Sequence, residues 1–232
     1  MISSVPLPPA FLGDALPGII GFGLFLLFVS LFALMPVVVG RLSQPDKKGQ
    51  VGEWLVSSKL RHGLPKAEYQ VLDNLLLPDG KGGQTQVDHV VISIYGVFVI
   101  ETKNWDCWVF GGENGRDWTL TYKSGRKVKS LNPLQQNKTH VAAVLALLGI
   151  KPEHCHNIVA LLNGAVLKTG PIPGVIQNDL VGHLRAFREP VLNPDWLPVA
   201  VETLQAASKS DDKLAVAAHL DQVQAKRGWQ TA

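Results

Sequence analysis

The sequence predicts an α/β domain, a mixed sheet flanked by helices, preceded by one transmembrane helix. Three observations carry this. An uncharged apolar run spans Gly18 to Gly40. Two strand-like segments, Gln86–Ile94 and Val97–Lys103, are apolar on both faces, as strands covered on two sides are. A helix follows at Asn132-Pro133 and another apolar strand at Ile158–Leu162, the alternation expected of helices packed on a mixed sheet.

At about 1.5 Å per residue, the run Gly18–Gly40 reaches the roughly 30 Å of a bilayer's hydrocarbon core. It is apolar all round, so it is not an amphipathic surface helix. A cleavable signal peptide fits poorly: the first seventeen residues hold no Lys or Arg, and Met35-Pro36-Val37 is a poor cleavage site. Pro36 marks a kink or the interface and is compatible with spanning. Asp14 precedes the run, whereas Arg41, Lys47 and Lys48 follow it. The positive-inside rule then places the N-terminus outside and the large domain in the cytoplasm. The expected order is a tail over 1–17, the span over 18–40, a basic linker over 41–48, a main domain over 49–163 and a partly helical α/β extension over 164–232.

The bulk properties add limits. Of 232 residues, 46% are hydrophobic, enough for a real core, and the net charge of +3 is too mild to mark a nucleic-acid binder by itself. Cys107 and Cys155 are the only cysteines, which excludes a disulfide-framework domain and suits a reducing compartment.

Within the main domain, Gln50–His62 reads as a helix with Val51, Trp54, Leu55 and Leu60 on its apolar side. Tyr69–Leu77 is a first strand, closed by the turn residues Pro78-Asp79-Gly80. Val109–Phe110 and Trp118–Tyr122 are shorter strands. Asn132 is a good N-cap and Pro133 a good first helical residue, with Val141, Val144, Leu145 and Leu148 following. Asn178–Phe187 and Asp211–Arg227 read as helices. Trp54, Trp105 and Trp118 are expected in the core, although aromatic rings of this kind can also stack on bases.

The chemistry sits on the two central strands. Asp88 lies in Gln86-Val87-Asp88-His89, and Glu101 and Lys103 lie in Val99-Ile100-Glu101-Thr102-Lys103. Charges on doubly covered strands are costly unless they are paired or bound to metal. With Tyr95-Gly96 as a two-residue hairpin loop, Ile94 faces Val97 and Asp88 faces Lys103, diagonal to Glu101. All three then share one face. Two carboxylates and an ammonium at one point match the needs of metal-assisted phosphodiester hydrolysis, with hard oxygens for Mg²⁺. An ordinary salt bridge is the competing reading of so short a pattern. No Ser/His/Asp or HExxH signature points to a protease or another hydrolase.

The surroundings decide for the first reading. Gly52-Glu53, Gln86-Val87-Asp88-His89, Gly96 through Trp105, Trp118, and Asn132-Pro133-Leu134-Gln135-Gln136-Asn137-Lys138-Thr139-His140 together resemble the nuclease-related domain (NERD) family. That family is a branch of the restriction-endonuclease-like PD-(D/E)xK superfamily, and the resemblance covers Gly49 to Asn163. It implies a restriction-endonuclease-like core sheet flanked by helices. It also implies catalytic roles for Asp88, Glu101, Lys103, Glu53 and Gln136, with Asp88, Glu101 and Glu53 as ligands of Mg²⁺ or Mn²⁺. Gln136 would contact substrate or order the site. His140, one turn on, is equally well read as a packed or surface histidine. Cys107 stands where the family commonly has Gly. The expected activity is that of a membrane-anchored nuclease acting on DNA, with RNA as the other nucleic acid to consider. A nuclease-fold module that binds nucleic acid or a protein without turnover is the alternative.

Overall fold

The computed structural model describes residues 45–210, 212 and 215–219. The expected span over 18–40 and most of the expected helix over 211–227 lie outside these residues. Among the described residues, no helix is long and apolar enough to cross a membrane.

Two sheets form. The larger has the order β1 (Tyr69–Pro78), β2 (Gln84–Ser93), β3 (Gly96–Asn104), β7 (Cys155–Leu162) and β9 (Val175–Ile176). β1, β2 and β3 run antiparallel, while β7 lies parallel to β3 and β9 parallel to β7. The smaller sheet has the order β6 (Lys127–Leu131), β5 (Asp117–Thr121), β4 (Trp108–Phe110) and β8 (Val166–Leu167).

The helices that flank the sheets are α1 (Pro45–Gly63), α2 (Pro133–Leu148), α3 (Leu180–Arg185) and α4 (Trp196–Ala207). One face of the large sheet, with Val90, Ile92, Val97 and Val99, packs on Ala143 and Val144 of α2 and Leu197, Ala200 and Leu204 of α4. The other, with Val91, Phe98, Ile100 and Ile158, packs on Val56 and Leu60 of α1 and Leu180 and Leu184 of α3. The mixed sheet flanked by helices is therefore as the residue pattern requires. β3 is its centre, and every residue of that strand except Lys103 is buried.

Three expectations need correction. The hairpin between β2 and β3 turns at Ile94-Tyr95, with Ser93 paired to Gly96 and Ile92 to Val97. Tyr95 N–H donates to Ser93 Oγ, and Gly96 takes a positive φ of 134°, which a side chain would oppose. The register thus moves by two residues. Because side chains alternate with period two, an even shift leaves every face unchanged.

On α1 the buried positions are Gly52, Val56 and Leu60. Val51 and Trp54 are instead 38% and 67% exposed. The cause is a close approach: a Cβ on Gly52 would lie 2.7 Å from Asn104 Cβ, so this turn of the helix must face the sheet. β6 and α4 were not foreseen. β6 is largely exposed and lacks an apolar alternation, and Pro198 lies in the first turn of α4, where its missing N–H has no helical role.

Candidate active site

Glu101 and Lys103 are two apart on β3 and share a face. Glu101 is buried, yet its Oε1 accepts from Lys103 Nζ at 2.5 Å and from Gln136 Nε2 at 2.8 Å. Lys103 Nζ also donates to Gln136 Oε1 at 3.2 Å.

Gln136 is held there by its own segment. Asn132 caps α2, its Oδ1 accepting from Leu134 N–H, while its Nδ2 donates to the carbonyls of Gly112, Glu113 and Gly115. Asn137, fully buried, donates through Nδ2 to Val99 O on β3 at 2.8 Å and to Ile158 O on β7 at 3.1 Å. A cap at one end and a buried amide beside it leave Gln136 little choice of direction. His140 is packed one turn further on. Its Nδ1 lies 3.2 Å from Thr85 Oγ1 and its Nε2 3.6 Å from Glu101 Oε2. Burial holds it below the ordinary imidazole range, against the pull of Glu101.

Asp88 lies one residue beyond the last β2–β3 pair, His89 with Ile100. Counting on sets it level with Glu101, where the expected register set it opposite Lys103. Its Oδ2 accepts from the backbone N–H of Thr102 at 2.8 Å. Across the sheet, Asn74 adopts a positive φ of 52° between the pairs Asp73–His89 and Leu75–Val87. Burial, then the charges of Glu101 and Glu53, push Asp88 well above the ordinary carboxylate range. Glu53, on α1, is raised as well, by burial and by Glu101, against the pull of His89 and Lys103. Asp88 and Glu53 thus both feel the charge of Glu101, with Lys103 the cation that opposes it.

Residues 48–162 match the family described as nuclease-related domain, NERD. This segment belongs to that family. NERD is part of the restriction-endonuclease-like superfamily. An uncharacterized protein of Bacillus anthracis is 41% identical over 100 residues, which cover 43% of this chain and 46% of that protein. The match thus spans less than half the length of this curated relative. No solved structure matches the chain.

All five expected site residues fall inside the NERD segment, and the fold brings them to one region from β2, β3, α1 and α2. A further network of the NERD domain escaped the sequence reading. His89, buried next to Asp88, donates from Nδ1 to Asp73 Oδ1 at 2.7 Å, and its Nε2 lies 3.2 Å from Thr102 Oγ1. Asp73 Oδ2 accepts from Ser57 Oγ and from Arg61. Burial would raise Asp73, but these donors outweigh it and hold the carboxyl far below the ordinary range. The network ties α1, which carries Glu53, to β1, β2 and β3. Its one sequence signal was His89 itself, set beside Asp88 at the start of the apolar run Val90–Ile92.

Cys107 is buried against Val109 and Trp118, and burial pushes the Cys155 thiol up to about 12. The two cysteines are not bridged. His154 ends a short 3-10 turn, whereas Cys155 and His156 open β7.

Proposed function

We propose that this chain is a membrane-anchored, metal-dependent nuclease that hydrolyses phosphodiester bonds in DNA, with RNA as a second substrate to test. The observation that carries the proposal is that Asp88 and Glu101 come level on the paired strands β2 and β3, with Lys103 bonded to Glu101 and with Glu53 of α1 within electrostatic reach. Like charges brought together in a buried place call for a cation. The donors are all carboxylate oxygens, which suit Mg²⁺ or Mn²⁺ rather than softer metals. Among the described residues, no three His, Cys, Asp or Glu side chains gather closely enough to hold an ion. The fit is therefore one of donor chemistry and charge, and Asp88, Glu101 and Glu53 are the residues that would hold the ion.

When bound, such an ion would supply an activated water and charge stabilisation at the phosphoryl group. The chain's own residues have separate tasks. Lys103 Nζ orients the attacking water or meets the negative charge that grows on the phosphate. Gln136 keeps Lys103 and Glu101 in register. The Thr102 N–H fixes one oxygen of Asp88. The uncharged run over 18–40, followed by Arg41, Lys47 and Lys48, supports anchoring with the NERD domain on the cytoplasmic side.

One observation favours a second reading, a catalytically inactive module that binds nucleic acid or a protein partner at the membrane. Lys103 and Gln136 both close onto Glu101 Oε1, as a purely structural ion pair would. Lys103→Ala separates the two. For an enzyme, single-turnover cleavage should fall by at least about a hundredfold with little loss of nucleic-acid affinity. For a scaffold, the variant should lose about 3–5 kcal/mol of stability, with no cleavage to lose. A wild-type chain that cuts neither DNA nor RNA with Mg²⁺ or Mn²⁺ would sink the nuclease reading.

A further inference from the structure

The small sheet has two unlike faces. Its inner face carries Val109, Trp118, Leu120 and Leu167, all buried against Leu134, Val159 and Leu161. The pairs Trp108–Thr121, Phe110–Thr119, Thr119–Lys129, Thr121–Lys127 and Trp108–Val166 put the alternate residues on the outer face. Trp108 is 54% exposed there and Phe110 39%. One sheet thus spends Trp118 on the core and presents Trp108 outward.

The outer face is also basic. Lys127 and Lys129 project from β6, both exposed and without an ion pair among the described residues. Just past β8, Lys168 Nζ sits 5.0 Å from the centre of the Trp108 ring. Arg126, in the β5–β6 turn, lies 4.8 Å from the ring centre of Tyr122, which packs on the inner cluster, so this pair is no part of the outer face. Against these cations stands Asp117 on the same face, and Asp106 nearby is already engaged by Lys123 at 3.8 Å. At the end of the sheet a cavity of about 310 Å³ opens between Trp108, Thr121, Tyr122 and Lys123, with Asp106, Cys107 and Gly164 also in its wall.

We infer that this outer face is a platform for single-stranded nucleic acid, with bases stacked on Trp108 and Phe110 and phosphates met by Lys127, Lys129 and Lys168. Exposed rings interleaved with lysines are what such a ligand needs: every base offers a π face, and the backbone offers the charge. A duplex hides its base faces and would use the lysines alone. A protein partner would favour a patch depleted of lysine, unlike this one. The inference takes its ligand class from the nuclease reading but uses none of that site's residues.

The test uses the full chain in phosphatidylcholine nanodiscs with chelator present, so that nothing is cut. Fluorescence anisotropy would follow a labelled single-stranded DNA, its RNA counterpart and the matching duplex. Trp108→Ala should weaken single-strand binding about tenfold or more, shift duplex binding less than about twofold, and leave the melting temperature alone. Trp108→Phe should restore most of the affinity. Lys127→Ala with Lys129→Ala should lower the salt slope of single-strand binding by about 1.4.

Several results would overturn the inference. They are single-strand affinity indifferent to Trp108→Ala, equal losses for single strand and duplex, and no single-strand binding by wild type. Another is a Trp108→Ala variant that loses only binding to added phosphatidylglycerol vesicles, which would make the face a lipid contact. Cleavage with Mg²⁺ is scored separately. A wild type that cuts while ignoring Trp108→Ala sinks the platform alone. One that binds through Trp108 yet never cuts sinks the nuclease reading and leaves the platform standing.

Discussion

Gln136 bridges Glu101 and Lys103: its Nε2 donates to Glu101 Oε1 at 2.8 Å, and its Oε1 accepts from Lys103 Nζ at 3.2 Å. One amide therefore sets the direction of both the acid and the amine. Gln136→Ala is expected to lower the single-turnover rate about 10–100-fold, the usual effect of losing a group that orients a site. Nucleic-acid affinity should change little, since it rests on dispersed phosphate contacts. Unchanged cleavage in this variant would show that Glu101 and Lys103 need no such brace.

Asp88 offers a prediction with a definite sign. Its folded-state pKa is raised, so above the ordinary carboxylate value of 3.8 the native state holds a proton that the unfolded chain releases. Stability then falls as pH rises through that window, and the charge is a liability at neutral pH. Asp88→Asn removes the charge and retains an oxygen for the Thr102 N–H. It should melt higher than wild type at neutral pH, and the gain should fade in acid, where the wild-type carboxyl is protonated in both states. The same variant should lose cleavage. Mg²⁺ should also raise its melting temperature less than that of wild type, because binding stabilises only the state that binds. Equal stabilisation of both would argue against a metal site here.

Gly52 sets opposing effects against each other. In a free helix, alanine would be better than glycine by about 1 kcal/mol. Here the new methyl would meet Asn104 Cβ at 2.7 Å, an atom fixed to the backbone of β3. Overpacking of this kind costs about 1–3 kcal/mol, so Gly52→Ala should lower the melting temperature despite its helix propensity. Glu53, the next residue, should move with the helix and cleavage should fall. A variant that melts higher than wild type would mean that α1 does not approach β3 so closely.

The membrane reading has its own test. A reporter active only in the cytoplasm, fused after Ala232, should be functional if the run over 18–40 spans with its N-terminus outside. A silent cytoplasmic reporter, with activity from one that works only outside, would reverse the orientation. Replacing Arg41, Lys47 and Lys48 together by Ser should weaken the orientation bias, seen as activity divided between the two reporters.

Local patterns in the chain specified a good deal unaided. The apolar runs of β2 and β3, with Asp88, Glu101 and Lys103 set in them, marked both the centre of the sheet and the residues of the candidate site. Asn132-Pro133 marked the start of α2, because a cap and a proline act within one turn of their own position. Face assignment on β2 and β3 survived even a mistaken turn, since moving the turn by one residue, from Tyr95-Gly96 to Ile94-Tyr95, shifts the pairing by two and preserves parity.

Other features were decided only where distant segments meet. The apolar Val51 and Trp54 looked as core-like as Val56, and the contact of Gly52 with Asn104 chose between them. Trp108 and Trp118 are indistinguishable as residues, but strand pairing turned one outward and buried the other. Asp73, His89, Ser57 and Arg61 became one network only when α1 crossed the first two strands. Hydrophobic periodicity and capping depend on neighbours a few residues away and can be read along the chain. Which face is covered depends on contacts between residues far apart in sequence, and these exist only in the folded chain.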